Sequence, residues 1–220
     1  MRKFMRRMVL AAGMFGFLLL AGCGSEVKFE PTESSIYVRA DGSVISAEIT
    51  GFDNTSFGEE RYSEEELKAF VEDAVKAYNA GVGSPNLAYS SELEDKNSIL
   101  PVSIDSLKVE EKEAELVISY ASCADYLNFN KADDTVTQLS VTSAPVAVAS
   151  GISLDGLVNA KGEIVDTSKA KESEKYRVAS VAGETTVVIN GKILGVSGAE
   201  ILNEHTVKTT YGVMAYILFR

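Results

Sequence analysis

Glycine-centred turns recur in this chain between short stretches in which apolar and polar residues alternate. A period of two is the mark of a half-buried strand, and a tight turn between two such strands makes them antiparallel neighbours. Asp41-Gly42 lies between residues 35–39 and 43–50. Ile36 and Val38 share a face of the first stretch, and Ile45, Ala47 and Ile49 share a face of the second. Residues 102–109 and 114–121 flank Glu110-Glu111-Lys112-Glu113 in the same way. Lys161-Gly162 joins 157–160 to 163–166, and Asn190-Gly191 joins 185–189 to 192–196. Asn-Gly is the strongest hairpin signal of the set, because both residues tolerate the positive φ of a type I′ turn. Residues 176–181 and 206–210 are strand-like as well, and 135–148 read as extended with a break at Pro145. Residues 213–219 are apolar on both faces, which places them centrally in a sheet covered on both sides.

One stretch departs from this period. Ser63-Glu64-Glu65-Glu66 has the form of a capping box with acids at a helix start. Leu67, Phe70, Val71, Ala74, Val75 and Tyr78 then recur at helical spacing as one apolar stripe, and Gly81 is placed to stop it. Ser122 followed by Asp125 caps a short helix to about Asn130. Residues 85–97 and 167–175 read as loops. The expectation is α+β: a largely antiparallel sheet of roughly nine strands built from hairpins. It is packed by one main amphipathic helix over about 63–80 and one or two short helices.

The leader is a separate matter. Arg2, Lys3, Arg6 and Arg7 precede an apolar run of 14 residues from Met8 to Ala21. A spanning helix needs roughly 20, so the layout is that of an export signal. Leu20-Ala21-Gly22-Cys23 resembles the lipobox of bacterial lipoproteins. The resemblance implies cleavage after Gly22 and diacylglycerol on the Cys23 sulfur. Residues 1–22 are then the signal peptide, 23–33 a short tether, and 34–220 the globular domain, with a division near Ser150 as the alternative to a single unit. Cleavage takes four basic and no acidic side chains from totals of 21 and 32, leaving a formal charge of −15. Such a domain repels nucleic acid and bare anionic lipid.

Candidates for chemistry are few. With Cys23 carrying lipid, Cys123 has no partner for an intrachain disulfide, and its apolar setting suits a buried thiol. His205 is the only histidine, in the polar stretch Asn203-Glu204-His205-Thr206. Two such side chains do not make a zinc site. Asp125, Asn128, Asn130, Asp133 and Asp134 form the nearest oxygen-rich cluster, without the spacing, glycine or glutamate of an EF-hand loop. Gly195-Val196-Ser197-Gly198 lacks the lysine of a phosphate loop and the third glycine of a dinucleotide fingerprint. Tryptophan is absent, though nine tyrosines remain. No catalytic residue, metal ligand or cofactor is assigned.

The stretches Ser34-Ser35-Ile36-Tyr37-Val38, Asp41-Gly42, Tyr62-Ser63-Glu64-Glu65-Glu66-Leu67 and Tyr78-Asn79 go together with Tyr120-Ala121-Ser122 and Asp125-Tyr126-Leu127-Asn128-Phe129-Asn130. With the lipobox they resemble a group of small uncharacterised lipoproteins of clostridia-like Gram-positive bacteria, over most of the chain. The resemblance implies the outer face of the cell membrane and carries over no functional residue. In a Gram-negative host, Gly24 after the lipidated cysteine implies the outer membrane. The expected function is a non-enzymatic envelope module that binds a protein or wall component. The alternatives are an envelope hydrolase with a carboxylate pair and a small solute receptor.

Overall fold

The computed structural model describes residues 27–51, 64–110, 113–133 and 135–220. Leu20, Ala21, Gly22, Cys23 and the cap Ser63 lie outside them. Among the described residues the fold is α+β, with eleven strands in two mostly antiparallel sheets and four helices.

The first sheet has seven strands. β1 (Ser35–Val38) and β2 (Val44–Gly51) form the expected hairpin, Val38 opposite Val44. Its loop closes through Gly42, which takes a φ of 88° while Asp41 Oδ1 accepts the Ser43 N–H. β3 (Val102–Val109) and β4 (Glu113–Tyr120) form the second expected hairpin, and β4 also zips onto β2 along its whole length. β7 (Thr186–Ile189), β10 (Thr206–Thr209) and β9 (Ala199–Ile201) complete the order β3-β4-β2-β1-β7-β10-β9. The second sheet runs β5-β6-β11-β8, from β5 (Val136–Ser143), β6 (Arg177–Gly183), β11 (Met214–Phe219) and β8 (Ile193–Ser197). As expected for a segment apolar on both faces, β11 lies between two strands and is covered on both sides. Both sheets mix strands from before and after residue 150.

The sheets face each other across the main core. Ile36, Val38, Val44, Val187 and Val207 of the first meet Ala179, Val181, Ala215, Ile217 and Phe219 of the second. Full burial of a valine, isoleucine or phenylalanine stabilises by about 1.5–3 kcal/mol over leaving it in water. α1 (Glu64–Gly81) adds Val71 and Val75, and α2 (Cys123–Phe129) adds Cys123 and Tyr126. Ser122 caps α2 by accepting the Asp125 N–H at 3.1 Å, as its sequence predicts. On the far face of the second sheet, Val178 and Leu218 pack against Ala144 and Ala147 of α3 (Ala144–Ala149), Leu154, Leu157, and Ala170 of α4 (Ser168–Lys171).

Several expectations fail for identifiable reasons. Asn190-Gly191 is not a hairpin turn. β7 uses both edges on β1 and β10, so β8 crosses to the other sheet and pairs with β11. A type I′ turn needs positive φ at both central residues, and no described residue other than glycine has one. Residues 144–149 are helical, because Pro145 sits in the first turn, where its missing N–H is not needed. The hairpin at Lys161-Gly162 shrinks to a single bridge between Val158 and Ile164. Residues 168–171 form α4 within the expected loop. The positive-φ glycine closing α1 is Gly83 rather than Gly81, with Ser84 N–H reaching back to the Asn79 carbonyl. Phe70 belongs to the apolar stripe by spacing, yet it is 72% exposed.

Candidate functional site

Two surface grooves stand out among the described residues. The larger, about 410 Å³, is floored by Leu194 and Leu218 of the second sheet and walled by Ala170 and Tyr176. Lys169, Arg220, Asp166 and the exposed Ile164 also line it. The groove lies beside the point where the layer that carries α3 and α4 meets the edge strand β8, Val158 and Val196 exchanging two main-chain hydrogen bonds of 2.9 Å. Asp166 is held below the usual carboxylate range, first by the Ser168 N–H that it accepts. The smaller groove, about 330 Å³, lies between Thr137, Gly183 and the exposed Tyr211 and Val213. The first groove holds one carboxylate and the second none, so neither offers the paired acids that glycoside hydrolysis uses.

The residues singled out by type are engaged in the architecture. His205 Nδ1 lies 2.7 Å from the Gly191 carbonyl, and its backbone N–H donates to Asn203 Oδ1. It thereby ties the start of β10 to the crossing between the sheets. Cys123 is buried, its thiol donating to the Gly42 carbonyl at 3.3 Å. Burial pushes that thiol up to about 11, far from the reactive thiolate range. In the oxygen-rich cluster, Asp125 accepts from Tyr78 Oη at 3.0 Å and from Ser122 Oγ. Burial, then the Asp125 contact, raises Tyr78 to about 12. Asn130 donates to Tyr120 Oη and the Tyr126 carbonyl, and Asp133 accepts from Thr135. Asp134 lies outside the described residues. Among the described residues no three metal-ligating side chains come together.

One pair of acids does interact. Glu48 faces the main core side of β2, and partial withdrawal from water raises its carboxyl, with the Asp133 charge adding and the Ser34 hydroxyl opposing. The residue keeps a solvent-exposed edge, which limits the size of the effect. An acid raised on folding favours the folded state at low pH, and that contribution is lost as pH rises through its folded value. Glu48→Gln should therefore raise the melting temperature near neutral pH and leave it nearly unchanged below pH ~4. Thermal melts of both proteins across pH check this, and a larger gain in acid than at neutrality would contradict it.

Sequence reading missed the groove and one buried side chain, Asn79. The groove arises only when the 159–176 layer meets β8 and β11, and no spacing announces that. Asn79 sits one position after the apolar stripe ends, and asparagine at a helix end ordinarily reads as a cap. Comparison with models of known families, with curated proteins and with solved structures finds no match to this chain.

Proposed function

We propose that the chain is a lipoprotein of the cell envelope, a non-enzymatic binding module held on the outer face of the membrane by acyl chains on Cys23. The observation that carries this reading is Leu20-Ala21-Gly22-Cys23 at the end of a basic and then apolar leader. Two or three acyl chains hold a protein firmly, since each buried methylene contributes about 0.8 kcal/mol. The larger groove, lined by Leu194 and Leu218 together with the basic Lys169 and Arg220, is the surface we assign to an envelope protein or wall component. Grooves that combine an apolar floor with a few polar groups are the usual form of a binding site.

Cys23→Ser should move the protein from the membrane fraction to the medium, and acyl mass should be found on the N-terminal peptide of the native protein alone. Retention of the variant in the membrane at unchanged size would sink the anchor. Turnover of a glycoside by the purified protein, lost in Glu48→Gln, would replace the binding reading with the hydrolase.

A further inference from the structure

Val27 is the first described residue, and its place is fixed. Its N–H donates to Asn190 Oδ1 and its carbonyl accepts from Tyr37 Oη. Phe29 stacks on Tyr37 with ring centroids 5.3 Å apart, and Glu33 accepts from Thr186. Residues 27–33 thus lie along the outer face of the first sheet, starting where β1 and β7 end. Only Gly24, Ser25 and Glu26 separate Val27 from Cys23. Four residue steps span at most about 14 Å.

Given lipidation of Cys23, we propose that the end of the sandwich at Val27 rests on the bilayer surface and holds the opposite end outward. The partner is the lipid headgroup layer itself. Strand direction identifies this end. Val38 and Ile189 finish there, Val44, Val102 and Thr206 begin there, and Phe219 and Arg220 finish there beside Lys192. Its loop tips carry exposed apolar side chains. Leu202 is 47% exposed at the turn between β9 and β10, Ile99 70% just ahead of β3, and Val82 53% beyond Asn79, whose side chain holds Val102. Six strand spacings, about 29 Å, separate the β3 edge from the β9 edge, so apolar tips sit at both margins of this end. The opposite end has exposed Tyr211 and Val213 as well, and it is the short reach from Cys23 to Val27 that selects this one. Apolar and amphipathic side chains are stable at headgroup depth.

Charge is divided between the two ends. Near Val27, Lys28 pairs with Glu30 and Lys192 with Glu204, Arg39 lies over the Tyr37 ring, Asp41 is exposed at the β1–β2 turn, and Arg220 is exposed. The far end carries Glu110, Glu113, Asp133 and Glu184 at strand ends and turns. The domain as a whole repels anionic lipid, while this end is close to balanced. It rests on the bilayer because the anchor holds it there and gives no independent affinity.

The test uses the mature lipoprotein in a Cys123→Ala background, reconstituted in phosphatidylcholine–phosphatidylglycerol vesicles with a headgroup nitroxide quencher. An environment-sensitive fluorophore is placed at Leu202→Cys or Glu184→Cys, both exposed. Because a strand of six residues separates the two ends by about 20 Å, quenching at 202 should exceed that at 184 by at least about twofold. Equal quenching, or stronger quenching at 184, overturns the seat while acyl mass on Cys23 upholds the anchor. Absence of acyl mass overturns the anchor, and the seat with it.

Discussion

Asn79→Leu should cost about 3–5 kcal/mol of stability, at about one to three for each of two buried backbone groups left unpaired and less for a third that keeps partial access to water. Asn79 is fully buried at the end of α1. Its Nδ2 donates to the carbonyls of Leu87 and Val102, each at 2.8 Å, and its Oδ1 accepts the Val102 N–H at 3.0 Å. One side chain thereby satisfies three main-chain groups where the helix, the following loop and the edge strand meet. Leucine has a similar volume, so little cavity forms, and the loss comes mainly from the two Val102 groups stranded away from water, with a smaller part from the half-buried Leu87 carbonyl. Urea unfolding followed by circular dichroism reads the change as a drop in midpoint at constant slope. A loss under about 1 kcal/mol would mean that water or a shifted loop takes over the bonds.

Gly183→Ala is expected to be as severe, for steric reasons. Gly183 ends β6 at a φ of 132°, opposite the register shift between Val136 and Gln138. A Cβ there would lie 2.0 Å from the Thr135 carbonyl oxygen and 2.8 Å from Val136 Cα. Both obstacles are main chain, so no rotamer can relieve them. Backbone strain and overpacking each cost about 1–3 kcal/mol, so a combined loss of about 3–5 kcal/mol is the expected reading. Gly42→Ala is the control. Its φ is 88° but nothing lies within 4 Å of the added carbon, so it should lose only the left-handed penalty of about 1–2 kcal/mol. Equal losses in the two variants would show that strain, not collision, governs Gly183.

Local patterns were legible wherever a local interaction decides the structure. The β1–β2 and β3–β4 hairpins, the body of α1, the Ser122 cap and the buried central position of β11 all follow from spacing within a few residues. The errors fall where a distant partner outbids the neighbour. Asn190-Gly191 has good turn chemistry, but β1 and β10 occupy the two edges of β7. Phe70 has the right helical spacing, but no described element covers it. Pro145 is a breaker in a strand and a tolerated first-turn residue in a helix, and only the contact of α3 with the second sheet decides between them. The groove beside Tyr176 and Leu218 was illegible for the same reason. Its wall at Ala170 and its floor at Leu218 lie 48 residues apart in sequence, and neither carries a chemical motif.

The pairing of β1 with β7 sets an order of events for the folding chain. Ser35 lies against Thr186 in a parallel register, so the seven-stranded sheet cannot close until more than four-fifths of the residues are available. The second sheet is later still, because its central strand β11 ends at Phe219. A chain that emerges from its N-terminus therefore exposes the hairpins β1–β2 and β3–β4 as unclosed sheet fragments until the last strands arrive. Closing such long loops makes folding slow compared with a helical domain of equal size. The exposed hairpin edges are open meanwhile to pairing with other chains, so vectorial synthesis gives this protein no early foothold of completed tertiary structure.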